Sequence, residues 1–317
     1  IIMAAYISFQ PSDFFSPLLY TGTGSSNAVT GVGFQPDIVW GKKYDGTESH
    51  ALTSSVTGVT ETLYPDDGSS LTTDANGVTA FGADGFTVGS SASYNTNTKK
   101  YVTWCWKAGT TSGLTGGTIT PSAYSINTTS GFGMYKYGGN SSAGATIAHG
   151  LGAVPKMIWI KNLSGSDNWQ VYHVGMGNTK YMALNSTAIA GTATNRWNDT
   201  SPTSTVFSLG SAATVNTGND YMAYVWADVK GYSQFGGYTG NANADGPFVY
   251  TGFRPAWVMI KNTTSSGTNW CMWDNKRNSF NVMDTILLAN DTSADITTSS
   301  VNIDFLSRSE ERRVGKE

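Results

Sequence analysis

Gly33-Phe34-Gln35-Pro36-Asp37-Ile38-Val39-Trp40-Gly41-Lys42 stands in this chain in three versions. The second is Gly152-Ala153-Val154-Pro155-Lys156-Met157-Ile158-Trp159-Ile160-Lys161, and the third is Gly252-Phe253-Arg254-Pro255-Ala256-Trp257-Val258-Met259-Ile260-Lys261. In each, glycine lies three residues before proline and lysine six residues after it, with mostly apolar, β-favouring positions between. A turn feeding a buried strand has this pattern, because proline fixes φ and is tolerated at the first residue of a strand. The prolines are 119 and then 100 residues apart, which suits three related domains better than a short-period solenoid. Alternation then places Ile38, Met157 and Trp257, with Trp40, Trp159 and Met259, on the core-facing side of three equivalent strands.

Composition points the same way. The 317 residues suffice for two or three domains with real cores, only 13% are charged, 12% are aromatic and 37 are glycine. Serine, threonine and asparagine crowd the connections, and no long window carries a 3.6-residue period, so many short strands and almost no helix are expected. The formal charge of −3 is spread thinly, which excludes nucleic acid as a partner by the usual electrostatic signature. No apolar run reaches membrane-spanning length, so membrane insertion is not expected, and residues 1–20 lack the pattern of a secretion signal. Cys105 and Cys271 occupy non-equivalent positions and are expected as free thiols. Seven Asn-x-Ser/Thr triplets, starting at Asn127, Asn140, Asn162, Asn185, Asn198, Asn262 and Asn290, are expected by chance in so Asn- and Thr-rich a chain.

The order of segments gives a division. Residues 1–18 form an extended, proline-containing lead-in. A first sandwich covers 19–112, closing on Tyr101-Val102-Thr103-Trp104-Cys105-Trp106, and a second covers 134–231, closing on Tyr221-Met222-Ala223-Tyr224-Val225-Trp226. Between them 113–133 reads as a Gly/Ser/Thr-rich linker with one short strand near Ile119. The third unit, 232–307, follows the second without a gap, so these two are expected to pack as a rigid pair, and Phe305 is matched to Phe81 and Phe207. Seven of the ten residues in 308–317 are charged, a composition break that marks a non-native tail. Without the closing Tyr-led strand, the third unit is expected to be truncated, with an unpaired edge. The fold class is all-β: tandem antiparallel β-sandwiches of jelly-roll type.

The Tyr-Thr-Gly openings, the Pro36 segment, Gly85-Phe86-Thr87-Val88 and Tyr101 to Gly109 together resemble a family of virion-associated, tail-fibre-like proteins of marine tailed phages. Ala148-His149-Gly150-Leu151-Gly152, Gly231-Tyr232-Ser233 and Asp274-Asn275-Lys276-Arg277-Asn278 are similar to that family as well. The resemblance spans residues 3 to about 306. It implies concanavalin A-like or SPRY-like sandwiches in a virion surface component, made in the host cytoplasm and released by lysis. Other virion subunits, a host-surface glycan and further copies of the chain are the partners it suggests. Purely structural assembly or decoration, and polysaccharide degradation, are the alternatives.

Chemistry-bearing residues are sparse. Glycan hydrolysis usually needs two carboxylates flanking the bond, yet before residue 308 the only glutamates are Glu48 and Glu61, both in the first unit. His50, His149 and His173 have no metal-ligand spacing, and His149 in its glycine-rich turn is expected to bond backbone. Gly31-x-Gly33 and Gly150-x-Gly152 lead into strands, whereas a dinucleotide loop opens a helix. Loops at Tyr64-Pro65-Asp66-Asp67 and Asn195 to Asp199 offer oxygen ligands without a calcium register. Neither an enzyme nor a cofactor or metal site is expected. Aromatic stacking is the remaining binding chemistry, and Trp169, Trp197, Trp270 and Trp273, set among polar residues near strand ends, are the ligand-binding candidates. Trp40, Trp104, Trp106, Trp159 and Trp226 lie on apolar strands and are assigned to packing.

Overall fold

The computed structural model of the chain describes residues 8–243 and 245–306. The first stretch forms β1 (Phe15–Thr21), β2 (Asn27–Thr30), β3 (Ile38–Lys43), β4 (Ala51–Ser54), β5 (Glu61–Thr62), β6 (Thr72–Thr73), β7 (Val78–Gly82), β8 (Gly85–Val88) and β9 (Lys100–Trp106). The second forms β10 (Ala123–Asn127), β11 (Phe132–Gly138), β12 (Ala145–Ala148), β13 (Pro155–Asn162), β14 (Gln170–His173), β15 (Lys180–Ala183), β16 (Gly191–Thr192), β17 (Val206–Leu209) and β18 (Asp220–Ala227). The third forms β19 (Trp257–Lys261), β20 (Trp270–Asp274), β21 (Thr285–Leu288) and β22 (Ile296–Thr297). Two single-turn helices, α1 (Ala92–Asn95) and α2 (Thr194–Trp197), lie in loops. The fold is all-β, with several antiparallel sheets and none closed.

Three larger sheets carry the architecture, ordered β1-β9-β3-β4, β10-β11-β18-β13-β14-β15-β16, and β19-β20-β21-β22. The proline-led strands β3, β13 and β19 fall in different sheets but alternate identically. Ile38, Trp40, Met157 and Trp159 are buried in one central core, and Trp257 and Met259 pack against it partly buried. The intervening residues point the other way, into three outer cores. Val39 joins Val29, Phe86 and Val88; Ile158 and Ile160 join Ile147 and Phe207; Val258 and Ile260 lie against Met283, Ile286 and Phe305. Smaller pieces cover those outer faces: the β2-β8-β7 sheet, the β12-β17 pair and the Met283 to Ile303 bridge. The central strands of the first two larger sheets are thus buried on both faces, which is why they read as almost continuous apolar runs, while β19 is partly buried on both.

The closing strands pair as their sequences suggest. Trp106 lies opposite Ile38 and Trp104 opposite Trp40, while Trp226 lies opposite Met157 and Tyr224 opposite Trp159. Pro17 sits within β1 because that strand is a sheet edge, where a missing N–H forfeits no ladder bond.

Several boundaries differ from expectation. The lead-in ends earlier, since β1 starts at Phe15. Residues 113–133 are not a linker: β10 adds to the edge of β11, and Ile119 and Ile126 are buried in the second outer core. Two isoleucines among glycines and threonines bury enough surface to hold a strand that composition alone reads as flexible. All three stretches share the central core, so the second and third do not form a pair apart from the first. Phe207 in β17 corresponds to Phe86 in β8, not Phe81, because both face the strand that precedes the proline: Val29 opposite Phe86, Ile147 opposite Phe207. The charged segment 308–317 lies outside the described residues.

Candidate functional site

None of the four tryptophans proposed for ligand binding offers a ring face to solvent. Trp169, Trp197, Trp270 and Trp273 are 0%, 1%, 4% and 2% exposed. Their polar neighbours in sequence serve the turn chemistry around them while the rings turn inward. Trp169 and Trp270 enter the central core, Trp197 on α2 enters the second outer core, and Trp273 the third. Three of the four indoles also donate to backbone: Trp197 Nε1 to Lys180 O at 3.0 Å, Trp169 Nε1 to Tyr64 O at 2.9 Å, and Trp270 Nε1 to Ala183 O at 2.9 Å.

Two of those bonds belong to a closed set of three. Trp169 precedes β14 and reaches the first sheet's stretch, and Trp270 opens β20 and reaches the second. His50, which precedes β4, places Nε2 3.0 Å from Leu288 O in β21. His50 Nδ1 accepts from Trp40 Nε1 at 3.1 Å, so the proton resides on Nε2, which donates to Leu288. The backbone amides of these three residues are held alike. His50 N donates to Asp66 Oδ1 at 2.8 Å, Trp169 N to Asn185 Oδ1 at 3.1 Å and Trp270 N to Asn290 Oδ1 at 2.7 Å. Nothing in composition marks His50 as the counterpart of two tryptophans; its position fourteen residues after Pro36, as Trp169 is after Pro155, was the available signal.

The titratable groups are spent on this framework. Lys42 and Lys161 are fully buried at the ends of the motif strands. Lys42 Nζ donates to the carbonyls of Lys43, Glu48 and Thr292 at 2.9, 2.9 and 3.0 Å, and Lys161 Nζ to those of Asn162 and Gly165 at 2.7 and 3.1 Å. Burial pulls both ammonium groups down to about 8. Lys261 Nζ likewise donates to Asn262 O and Thr268 Oγ1. Burial holds His50 well below the usual imidazole range and lifts Asp66 to about 6. His149 bonds backbone as expected, with Nε2 3.1 Å from Thr203 O and Nδ1 accepting from Leu151 N at 3.2 Å.

Sequence reasoning missed a second matched pair. Asn95 and Asn216 are buried plugs behind the closing strands. Asn95 Oδ1 accepts from Thr23 N at 2.8 Å and its Nδ2 donates to Gly89 O at 2.6 Å; Asn216 Oδ1 accepts from Asn140 N at 2.8 Å and its Nδ2 donates to Gly210 O at 3.0 Å. Beside them Tyr101 and Tyr221 donate to Ala92 O and Ala213 O, and each stacks on a tyrosine of the adjacent strand, Tyr20 or Tyr137, at 5.3 Å. The Asn-x-Ser/Thr triplets have a local cause too. Asn127, Asn140, Asn162 and Asn262 each accept from the amide two residues on, the side-chain turn that asparagine favours.

The outer surface is asymmetric. Among the described residues the exposed aromatic side chains are Tyr238, Phe248, Tyr250 and Phe280, the last 82% exposed, and all belong to the third stretch. Val249 and Val282 are exposed beside them. Here too the sheet is open: β19 pairs with β20 on one side and, among the described residues, with nothing on the other. Its five residues are all only partly buried, whereas β3 and β13 are buried almost throughout. A shallow groove of about 320 Å³ between the second and third stretches is lined by Met176, Lys180, Ile189 and Thr263 among others, and has no carboxylate or histidine in its wall. Among the described residues the third stretch thus presents apolar area and a strand paired on one side only.

The family described as a domain of unknown function, DUF7483, matches residues 10–315, so the chain belongs to it. No curated protein and no solved structure matches the chain.

Proposed function

We propose that this member of the DUF7483 family is a non-enzymatic structural and interaction protein of a virion surface, built as three copies of one two-sheet unit around a shared core. The threefold reading is supported by the matched alternation of β3, β13 and β19 and by the cyclic set of bonds from His50, Trp169 and Trp270. Jelly-roll or concanavalin A-like topology is the finer form of the same reading. Residues 15–112, 113–231 and, among the described residues, 232–306 are the three units.

One observation carries the functional part. Histidines and motif lysines serve backbone contacts, while the exposed aromatics among the described residues all belong to the third stretch, whose strand β19 has a described neighbour on one side only. Such a surface suits contact with another protein chain: aromatic area anchors it, and unpaired strand groups give it direction. The virion setting rests on the phage-family resemblance. Mass spectrometry of purified particles from the producing host is the test, with the chain expected in stoichiometric amounts. Its absence from particles would overturn the virion assignment, and release of reducing sugar from host-envelope polysaccharide by the purified protein would overturn the non-enzymatic one. Retention on a glycan array that Phe280→Ser abolishes would move the surface from subunit contact to host recognition.

A further inference from the structure

We propose that the contact between the first and third units is an acid-sensitive latch: protonation of His50 releases the third unit from the first while the other two contacts between units stay closed. The proposal rests on the reading of three units around a shared core and is independent of the virion assignment.

The three contacts are built alike. Leu71 N donates to Leu163 O at 3.0 Å, Ala190 N to Thr263 O at 3.1 Å and Asp295 N to Tyr44 O at 2.9 Å, joining the first unit to the second, the second to the third and the third to the first. The donors stand five residues after Asp66, Asn185 and Asn290, and the acceptors two residues after the motif lysines. Beside each bond one ring reaches across: Trp169 to Tyr64 O, Trp270 to Ala183 O and His50 to Leu288 O. Only the last of these rings can take a proton. Its contact also holds Glu48 N on Thr292 O at 2.9 Å and Lys42 Nζ on the same carbonyl at 3.0 Å. The same contact brings the Trp257 ring to 5.8 Å from Trp106 and 6.4 Å from Trp40.

The closed geometry has no place for that proton. His50 is fully buried, with Nδ1 accepting from Trp40 Nε1 at 3.1 Å and Nε2 donating to Leu288 O at 3.0 Å. A proton on Nδ1 sets two donors against each other and puts a charge in the core. The cations near the ring, Lys42 at the end of β3 and Arg277 after β20, oppose that charge further. The carboxylates of the surrounding elements are engaged elsewhere: Asp274 with Arg277 at 2.7 Å, Glu48 with Lys43 at 3.3 Å, Asp291 with Ser293 N at 2.7 Å and Asp66 with the His50 amide at 2.8 Å. Once the contact opens, the ring takes a proton near its ordinary value of about 6.5, so each pH unit below that favours opening by up to about tenfold. Asp66 and Asp295 work in the opposite direction, because burial raises both carboxyls and they take up protons in the closed molecule.

The test follows amide hydrogen exchange of the whole protein at pH 7.5 and 5.5, corrected for the intrinsic rate. The amides of Asp295 and Glu48 should exchange severalfold faster at the lower pH, up to the roughly tenfold that one proton allows, while those of Leu71, Ala190 and Gly267, which close the other two contacts, should not change. Asp295→Asn should steepen the response by removing an opposing carboxyl. His50→Trp should abolish it, since the second unit already holds that arrangement: Trp169 donates across its contact, and Trp159 Nε1 is buried without a partner. His50→Gln, which keeps a donor and an acceptor without a titrating ring, should abolish it too and serves where the larger ring does not fit. An acid response shared equally by all three contacts, one that survives both His50 replacements, or none in Asp295→Asn would overturn the latch. Absence of protection at all these amides at pH 7.5 would overturn the threefold reading and the latch with it, so failure of the latch alone is distinguishable.

Discussion

β13 and β19 carry the same motif and diverge in their surroundings. Both start at a proline turn, alternate between the central core and an outer core, and end on a lysine that donates to backbone carbonyls. β13 has a strand on each side and almost every residue buried; among the described residues β19 has one neighbour, and none of its five residues is fully buried. A motif therefore makes a strand, but neighbours contributed from far along the chain decide how much that strand stabilises. The difference lies in the backbone as well: groups satisfied on both sides of β13 are satisfied, among the described residues, on one side of β19.

The sharpest test of this contrast is truncation of equivalent side chains. Trp159→Ala removes a ring that packs 4.6 Å from Trp226 and 5.7 Å from Trp40, and should cost about 3–5 kcal/mol in denaturant unfolding. Met259→Ala, at the matching place in the open sheet, should cost less than about 2 kcal/mol, below the usual range for a fully buried methionine. Equal losses would mean that β19 is as tightly held as β13.

Smaller effects follow at the cyclic contacts. Trp270→Phe keeps an aromatic ring in the core but removes the pyrrole part of the indole and with it the bond to Ala183 O. A loss of roughly 2 kcal/mol, hydrogen bond and small cavity together, is expected from the shift in denaturation midpoint. Trp169→Phe should cost the same if the three contacts are equivalent, so unequal values would break the threefold comparison.

His50 makes its own contact sensitive to pH. Its folded imidazole is held neutral by burial, whereas in the unfolded chain it takes a proton near the ordinary value of about 6.5. Below that pH the unfolded state binds the extra proton, and His50 contributes progressively less stability. Asp66 works in the opposite sense. Its carboxyl, raised to about 6 by burial, protonates in the folded state first and adds stability as pH falls from there toward the ordinary aspartate range. A comparison of wild type with His50→Gln separates the two: the advantage of wild type should shrink as pH drops from 7 to 5. A gap that stays constant would show that His50 keeps its ordinary pKa.

The smallest expected effect on stability is at the exposed surface. Phe280→Ser and Phe248→Ser should leave the unfolding midpoint within about 0.5 kcal/mol of wild type, since neither ring is buried, while lowering concentration-dependent association in sedimentation. Unchanged association in both variants would place the sticky surface elsewhere.

Much of this fold is visible in the residues themselves. The proline-led motif, the two-residue alternation and the Tyr-to-Trp closing strands identify which residues face a core, because strand geometry sends successive side chains to opposite sides whatever the tertiary context. The candidate tryptophans were not legible in the same way: a polar sequence neighbourhood is compatible with a loop ring in solvent or with one turned inward over asparagine caps. Asn185 and Asn290 hold Trp169 and Trp270 by their amides, and no local pattern distinguishes that from an exposed loop.

What the sequence determined alone is therefore local and periodic: strand identity, facing and the turns between. Only the tertiary structure decided that the three units converge on one core, that His50 stands where two tryptophans stand elsewhere, and that residues 113–133 pack as structure. The first two outcomes depend on contacts between residues a hundred or more positions apart, such as Trp169 with Tyr64 and His50 with Leu288, and the third on nearer ones, Ile119 with Ile147 and β10 with β11. Hydrophobic burial is non-directional, so composition sets how much surface can be hidden, while the surfaces that hide one another are selected by shape and hydrogen bonding once the sheets meet.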